Sequence, residues 1–125
     1  MALQCPQCKH TTSLRIVQRV ELPRDSRSDE ITLQVVRCGS CQFEGIAVYE
    51  ESRRGALHRE IVQHWGYRLP SNELSSLEKK MRTCPRPHNP RYTCPAHRAL
   101  STRTAHGRWN LLDSLHLGEA FLMVR

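Results

Sequence analysis

The sequence predicts an α+β fold: a small three-stranded antiparallel sheet over residues 1–51, then two short helices and a proline-rich loop within residues 52–125, packed as one compact unit. Three observations carry this. Two Cys-x-x-Cys pairs, Cys5–Cys8 and Cys38–Cys41, stand with 29 residues between them. Around that spacer apolar and polar residues alternate, the period of a half-buried strand. Beyond Ser52 the apolar residues recur at helical spacing instead.

The first strand runs from Leu14 to Leu22, with Leu14, Ile16, Val20 and Leu22 expected on one face and Arg15, Arg19 and Glu21 on the other. Residues 23–29 are polar, contain Pro and Asp, and read as a hairpin loop. Ile31, Leu33 and Val35 then alternate with Thr32, Gln34 and Val36 down to the second cysteine pair. A third strand from Gly45 to Glu50 places Ile46 and Val48 on one face.

Leu57, Ile61 and Trp65 lie four apart and read as one stripe of a helix that stops at Gly66, with Trp65 covering the sheet. Pro70-Ser71 opens a second helix. Ser71 is its expected cap, Glu73 lies in its first turn, and Leu74, Leu77 and Met81 form the buried stripe. Lys79, Lys80 and Arg82 sit at its end, where cations suit the helix dipole. Residues 84–97 contain four prolines in fourteen, which excludes helix and central strand. In the tail Trp109, Leu112 and Leu115 fit a short helical stripe that Gly118 breaks, and residues 120–124 read as a strand or a docking peptide.

Apolar residues make up 38% of the 125 and aromatics 6%, so the core is thin and a staple is expected. Two Cys-x-x-Cys turns can set four thiolates at the corners of a tetrahedron, the geometry zinc takes with sulfur. Cys5, Cys8, Cys38 and Cys41 are therefore the expected ligands of one zinc ion; disulfides and a redox pair are the alternatives. Four thiolates fill the coordination shell, so no catalysis is assigned there, and His10 reads as a surface residue. No signal peptide or transmembrane run is visible, which points to a cytoplasmic chain whose thiols stay reduced.

Cys84, His88, Cys94 and His97 form a second candidate site, spaced Cys-x3-His, five residues, then Cys-x2-His. A second zinc would hold the proline-rich loop; buried free cysteines or a Cys84–Cys94 disulfide are the other readings. His88 stands between prolines, and His58, His64 or His106 could take its place. The loop offers no carboxylate as a general base, so hydrolysis on an open zinc is disfavoured.

The run Arg27-Ser28-Asp29-Glu30, seven residues, then Cys38-Gly39-Ser40-Cys41 resembles the zinc ribbon of transcript-cleavage elongation factors and related small RNA polymerase subunits, over roughly residues 5–50. The resemblance implies a zinc-ribbon fold and a role in transcription, with Asp29 and Glu30 as an acidic pair that helps hold a catalytic magnesium. This sequence departs from that pattern in a longer spacer, which includes Pro23-Arg24-Asp25. A solvated hairpin tip is the plainer reading of the two acids.

The net charge is +7 and the pI about 9.5, a balance that favours acidic partners. Arg53, Arg54, Arg59 and Arg68 flank the first expected helix. Lys79, Lys80, Arg82, Arg86, Arg91, Arg98, Arg103 and Arg108 follow with no Asp or Glu before Asp113, which marks 79–108 as a polyanion surface, with Tyr92 or Trp109 able to stack bases. No Gly-rich phosphate loop, Ser-His-Asp set or paired-carboxylate motif is present. The sequence thus reads as a non-enzymatic zinc-binding module contacting nucleic acid or a nucleic-acid-processing machine. The rival is a protein-interaction adaptor that docks a larger partner through the apolar tail from Trp109 to Val124.

Overall fold

The computed structural model describes residues 3–23, 30–52, 61–92, 94–101 and 115–123. Five strands form one antiparallel sheet in sequence order: β1 (Leu14–Leu22), β2 (Glu30–Cys38), β3 (Glu44–Ser52), β4 (Ile61–Arg68) and β5 (Ala120–Leu122). Two helices, α1 (Ser71–Arg82) and α2 (Pro95–Ser101), fall between β4 and β5. The α+β class holds, but the sheet has five strands rather than three.

β4 corrects the first expected helix. A spacing of four residues puts side chains on one face of a helix and, being even, on one face of a strand as well. The composition decides: Ile-Val-Gln-His-Trp-Gly-Tyr-Arg is rich in β-branched and aromatic residues, and it pairs with β3 from Ser52↔Ile61 to Gly45↔Arg68. Gly66 is therefore a strand residue rather than a helix stop. A Cβ there would meet the Phe121 ring of β5 and the Ile46 carbonyl, so glycine leaves room for the ring in this position. Leu57 lies outside the described residues.

β1 corrects a second expectation. Its pairing with β2 shifts register between Ile16 and Gln18, leaving Val17 as an unpaired bulge residue. One extra residue inverts the alternation. Leu14 and Ile16 consequently pack with Leu3, Cys5, Val36, Phe43, Ala47 and Met123 on one face of the sheet. Val20 and Leu22 pack with Ile31, Leu33, Val35 and Ile46 on the other. The four residues expected to share a face serve two different clusters.

The second cluster is the larger core. α1 covers it with Leu74, Leu77 and Met81, as its stripe predicts, and Leu69, Leu100 of α2, Leu115 and Leu117 complete it. The α1 cap is Pro70, with no side-chain cap bond, so Ser71 does not play the expected role; proline suits a helix start because its missing N–H would go unused there. An ion-pair network ties α1 to the sheet: Arg37 bonds Glu44 at 2.8 Å and Glu78 at 2.9 Å, and Arg82 bonds Glu78 at 3.2 Å. Part of the tail is structural, since Ala120–Leu122 pairs with Tyr67–Trp65 of β4. Trp109, Leu111 and Leu112 lie outside the described residues. No helix among the described residues is long and apolar enough to cross a membrane.

Candidate metal centres

The first knuckle precedes β1 and the second joins β2 to β3. In the first, Cys5 N–H donates to the His10 carbonyl at 3.1 Å and Lys9 N–H to the Cys5 carbonyl at 3.0 Å, with Lys9 in the left-handed region at φ 65°. This closes the chain tightly around two sulfurs. In the second, Cys38 N–H donates to the Phe43 carbonyl at 3.0 Å. Gly39 N–H donates to the Ser13 carbonyl at 2.8 Å, which binds the second knuckle to the residue just before β1.

These turns bring all four sulfurs together, with Sγ atoms within 4.8 Å of one another. Cys5 and Cys41 sulfurs lie 3.6 Å apart, Cys8 and Cys38 sulfurs 3.7 Å apart. A tetrahedron with Zn–S bonds of about 2.3 Å has edges of about 3.8 Å, so this donor set fits a tetrathiolate ion. The four cysteines are free thiols.

Backbone donors prepare the sulfurs for charge. Ser40 and Cys41 N–H groups both reach Cys38 Sγ at 3.3 Å, and Gln7 N–H reaches Cys5 Sγ at 3.4 Å. Burial opposes ionisation of Cys38, but bonds from Ser13, Ser40 and Cys41 outweigh it and bring the thiol down to about 6. Cys8 is lowered as well, chiefly by the His10 backbone. Cys41 is pushed up to about 12 by burial, with its sulfur neighbours adding to the rise. Such a set cannot lose all four protons by itself; a dication removes the mutual repulsion.

Ser13 is the residue that sequence reasoning missed. It is 6% exposed, and its Oγ lies 3.1 Å from Cys38 Sγ and 3.8 Å from Cys8 Sγ, one sulfur from each knuckle. No spacing rule marks such a serine; its only signal is its place between the first knuckle and β1. His10 is exposed and outside the cluster, its Nδ1 taken by Thr12 N–H at 3.3 Å. Arg68, at the end of β4, hydrogen-bonds Gln7 and lies 4.9 Å from the Phe43 ring centre, so the far strand is also tied to the first knuckle.

A second cluster joins the end of α1 to the start of α2. Cys84, Cys94 and His97 place their ligand atoms within 4.8 Å of one another. His88 is exposed and stands outside this group, and His64 lies on β4 with Nε2 2.6 Å from Gln34 Oε1. His58 and His106 lie outside the described residues. Cys84 is raised, mainly by burial; Cys94 is lowered because bonds to the His97 and Ala96 backbone and to Cys84 overcome its own burial.

The remaining candidates are scattered. Glu30 opens β2 opposite Glu51, while Asp29 lies outside the described residues. Lys79, Lys80, Arg82, Arg86, Arg91 and Arg98 are all exposed, and Arg86 lies 5.9 Å from the Tyr92 ring centre. Arg53, Arg54, Arg59, Arg103 and Arg108 lie outside the described residues. Comparison of the chain with protein-family models, curated proteins and solved structures finds no match.

Proposed function

We propose that this chain is a non-enzymatic zinc-binding module that contacts nucleic acid, alone or within a nucleic-acid-processing machine. The tetrathiolate holds zinc and makes the sheet a rigid platform. The observation that carries the second half is the set of six exposed cations on the end of α1, the proline-rich loop and α2. The segment from Lys79 to Ser101 contains no Asp or Glu, and of its cations Arg82 is ion-paired with Glu78 of the preceding turn. Arg and Lys on such a surface would displace condensed counterions from phosphates, a contact that carries little sequence information.

Binding to single- or double-stranded nucleic acid is expected on the order of micromolar at low salt and should weaken steeply as salt rises. Replacing Arg86, Arg91 and Arg98 together by Gln should flatten the salt slope by up to about three phosphate contacts. Retention of full affinity in the triple variant, or no binding at about 50 mM salt, would remove this reading. Salt-insensitive capture of a protein partner would favour the adaptor reading instead. Against that stands the place of the tail: Leu115 and Leu117 pack on the main core and Phe121 on the metal-side cluster.

A further inference from the structure

We infer that Cys84, Cys94 and His97 bind a second divalent ion of the zinc class, with His97 ligating through Nδ1, and that this ion clamps the proline-rich loop along the outer edge of β1.

The tautomer of His97 can be read from its partners. The ring is 1% exposed, and Nε2 lies 2.6 Å from the Glu21 carbonyl oxygen. A carbonyl only accepts, so in the neutral ring Nε2 carries the proton and Nδ1 offers its lone pair. Nδ1 then faces Cys84 Sγ at 3.0 Å, with Cys94 Sγ in the same cluster and bonded by His97 N–H at 3.3 Å. A buried imidazole held by a backbone carbonyl on one nitrogen, with the other nitrogen against the Cys84 thiol and Cys94 in the same cluster, is the arrangement of a metal-ligating histidine and its supporting partner. Two sulfurs and one imidazole nitrogen suit zinc in preference to harder cations. Binding releases the two thiol protons to solvent and forms two sulfur–metal bonds and one nitrogen–metal bond.

The clamp follows from Glu21. β1 is an edge strand, and its exposed backbone would otherwise offer a template for another strand. Glu21 N–H donates to the Pro87 carbonyl at 2.7 Å, while its own carbonyl accepts from His97. Both backbone groups of one edge residue are therefore spent on the segment that runs from α1 to α2. At the other end of β1, Leu3 bridges Leu14. A segment with four prolines has few N–H groups with which to hold itself, so the ion at its two ends fixes it. The second ion requires no nucleic-acid binding by the chain.

The test uses the full chain loaded with zinc or cobalt(II). Two ions per chain are expected. Cys94→Ser should lose one ion and keep the cobalt spectrum of the tetrathiolate. Metal addition to the apoprotein should shift the His97 Nδ1 resonance, leave Nε2–H protonated, and slow exchange of the Glu21 amide at least about tenfold. If Cys94→Ser fails to fold, protection of Cys84 and Cys94 from alkylation by the second equivalent of metal in the unmodified chain decides the same question. One ion per chain, or a second ion that leaves the His97 ring unshifted, would overturn the inference. A second ion that leaves Glu21 exchange unchanged would overturn the clamp.

Discussion

Arg37 on β2, the residue before Cys38 of the four-sulfur cluster, donates to the Glu78 carboxylate on α1 at 2.9 Å. The Glu78 side chain is 10% exposed and its carboxyl is held below the usual range by Arg37, with Arg82 adding to the effect. Because the folded value lies below the unfolded one, this contribution is fully present above the ordinary carboxylate range and disappears as pH falls through the lowered value. Glu78→Gln should cost about 1–3 kcal/mol at neutral pH, since Arg37 keeps Glu44 as a partner. Urea midpoints of the two proteins should converge as the solution is made acid; a constant gap would mean that the carboxylate charge is irrelevant.

Ser13 Oγ lies beside two of the four sulfurs, and its single O–H can support one thiolate at a time. Ser13→Ala should leave the fold intact and lower zinc affinity about 10–100-fold, measured by competition with a chromophoric chelator. Cys38→Ser is expected to lose the ion and much of the hairpin with it, seen as lost strand signal in circular dichroism.

Gly66 and Phe121 should show strong coupling. Gly66→Ala drives a Cβ into the aromatic ring and should cost about 1–3 kcal/mol. Adding Phe121→Ala removes the clash, so the double variant should be more stable than the sum of its parts predicts. Simple additivity in thermal melts would show that β5 does not lie over Gly66.

The bulge should be sensitive to length and not to side chain. Val17 is 43% exposed, and Val17→Ser should be nearly silent, within about 0.5 kcal/mol. Deleting Val17 is a different change. It would restore strict alternation and carry Leu14 and Ser13 to the wrong face, so zinc affinity should collapse although no ligand has been touched.

Those predictions also mark where the sequence was readable. β1 has the bounds its alternation predicts, and the α1 stripe Leu74, Leu77 and Met81 is buried as its period requires. The paired knuckles predict the four-sulfur cluster because two such turns bring four cysteines to one place. β4 is ambiguous in sequence because a spacing of four serves two periods at once. The bulge was invisible, because inserting one residue changes geometry without changing composition. Ser13 and the Glu21 carbonyl escaped for a related reason: the first is an ordinary side chain, the second a backbone group, and only tertiary structure gives either a role. The second cluster was half legible, with three of its four expected residues brought together and His88 left at the surface.

Leu3 and Met123 belong to the same cluster, on the side of the sheet with Cys5, Cys38 and Cys41, although nearly the whole described chain separates them. Closing that cluster requires contacts of very high sequence separation, which carry a large loop-closure cost and form slowly. The four cysteines, by contrast, all fall within the first 41 residues. Metal capture can therefore precede completion of the apolar cluster around it, and a chain refolded with zinc should pass through a state in which the thiols are already shielded while Phe121 and Met123 are still undocked. The ion would then act in the kinetics of folding as a nucleus, shortening the search for the last strand.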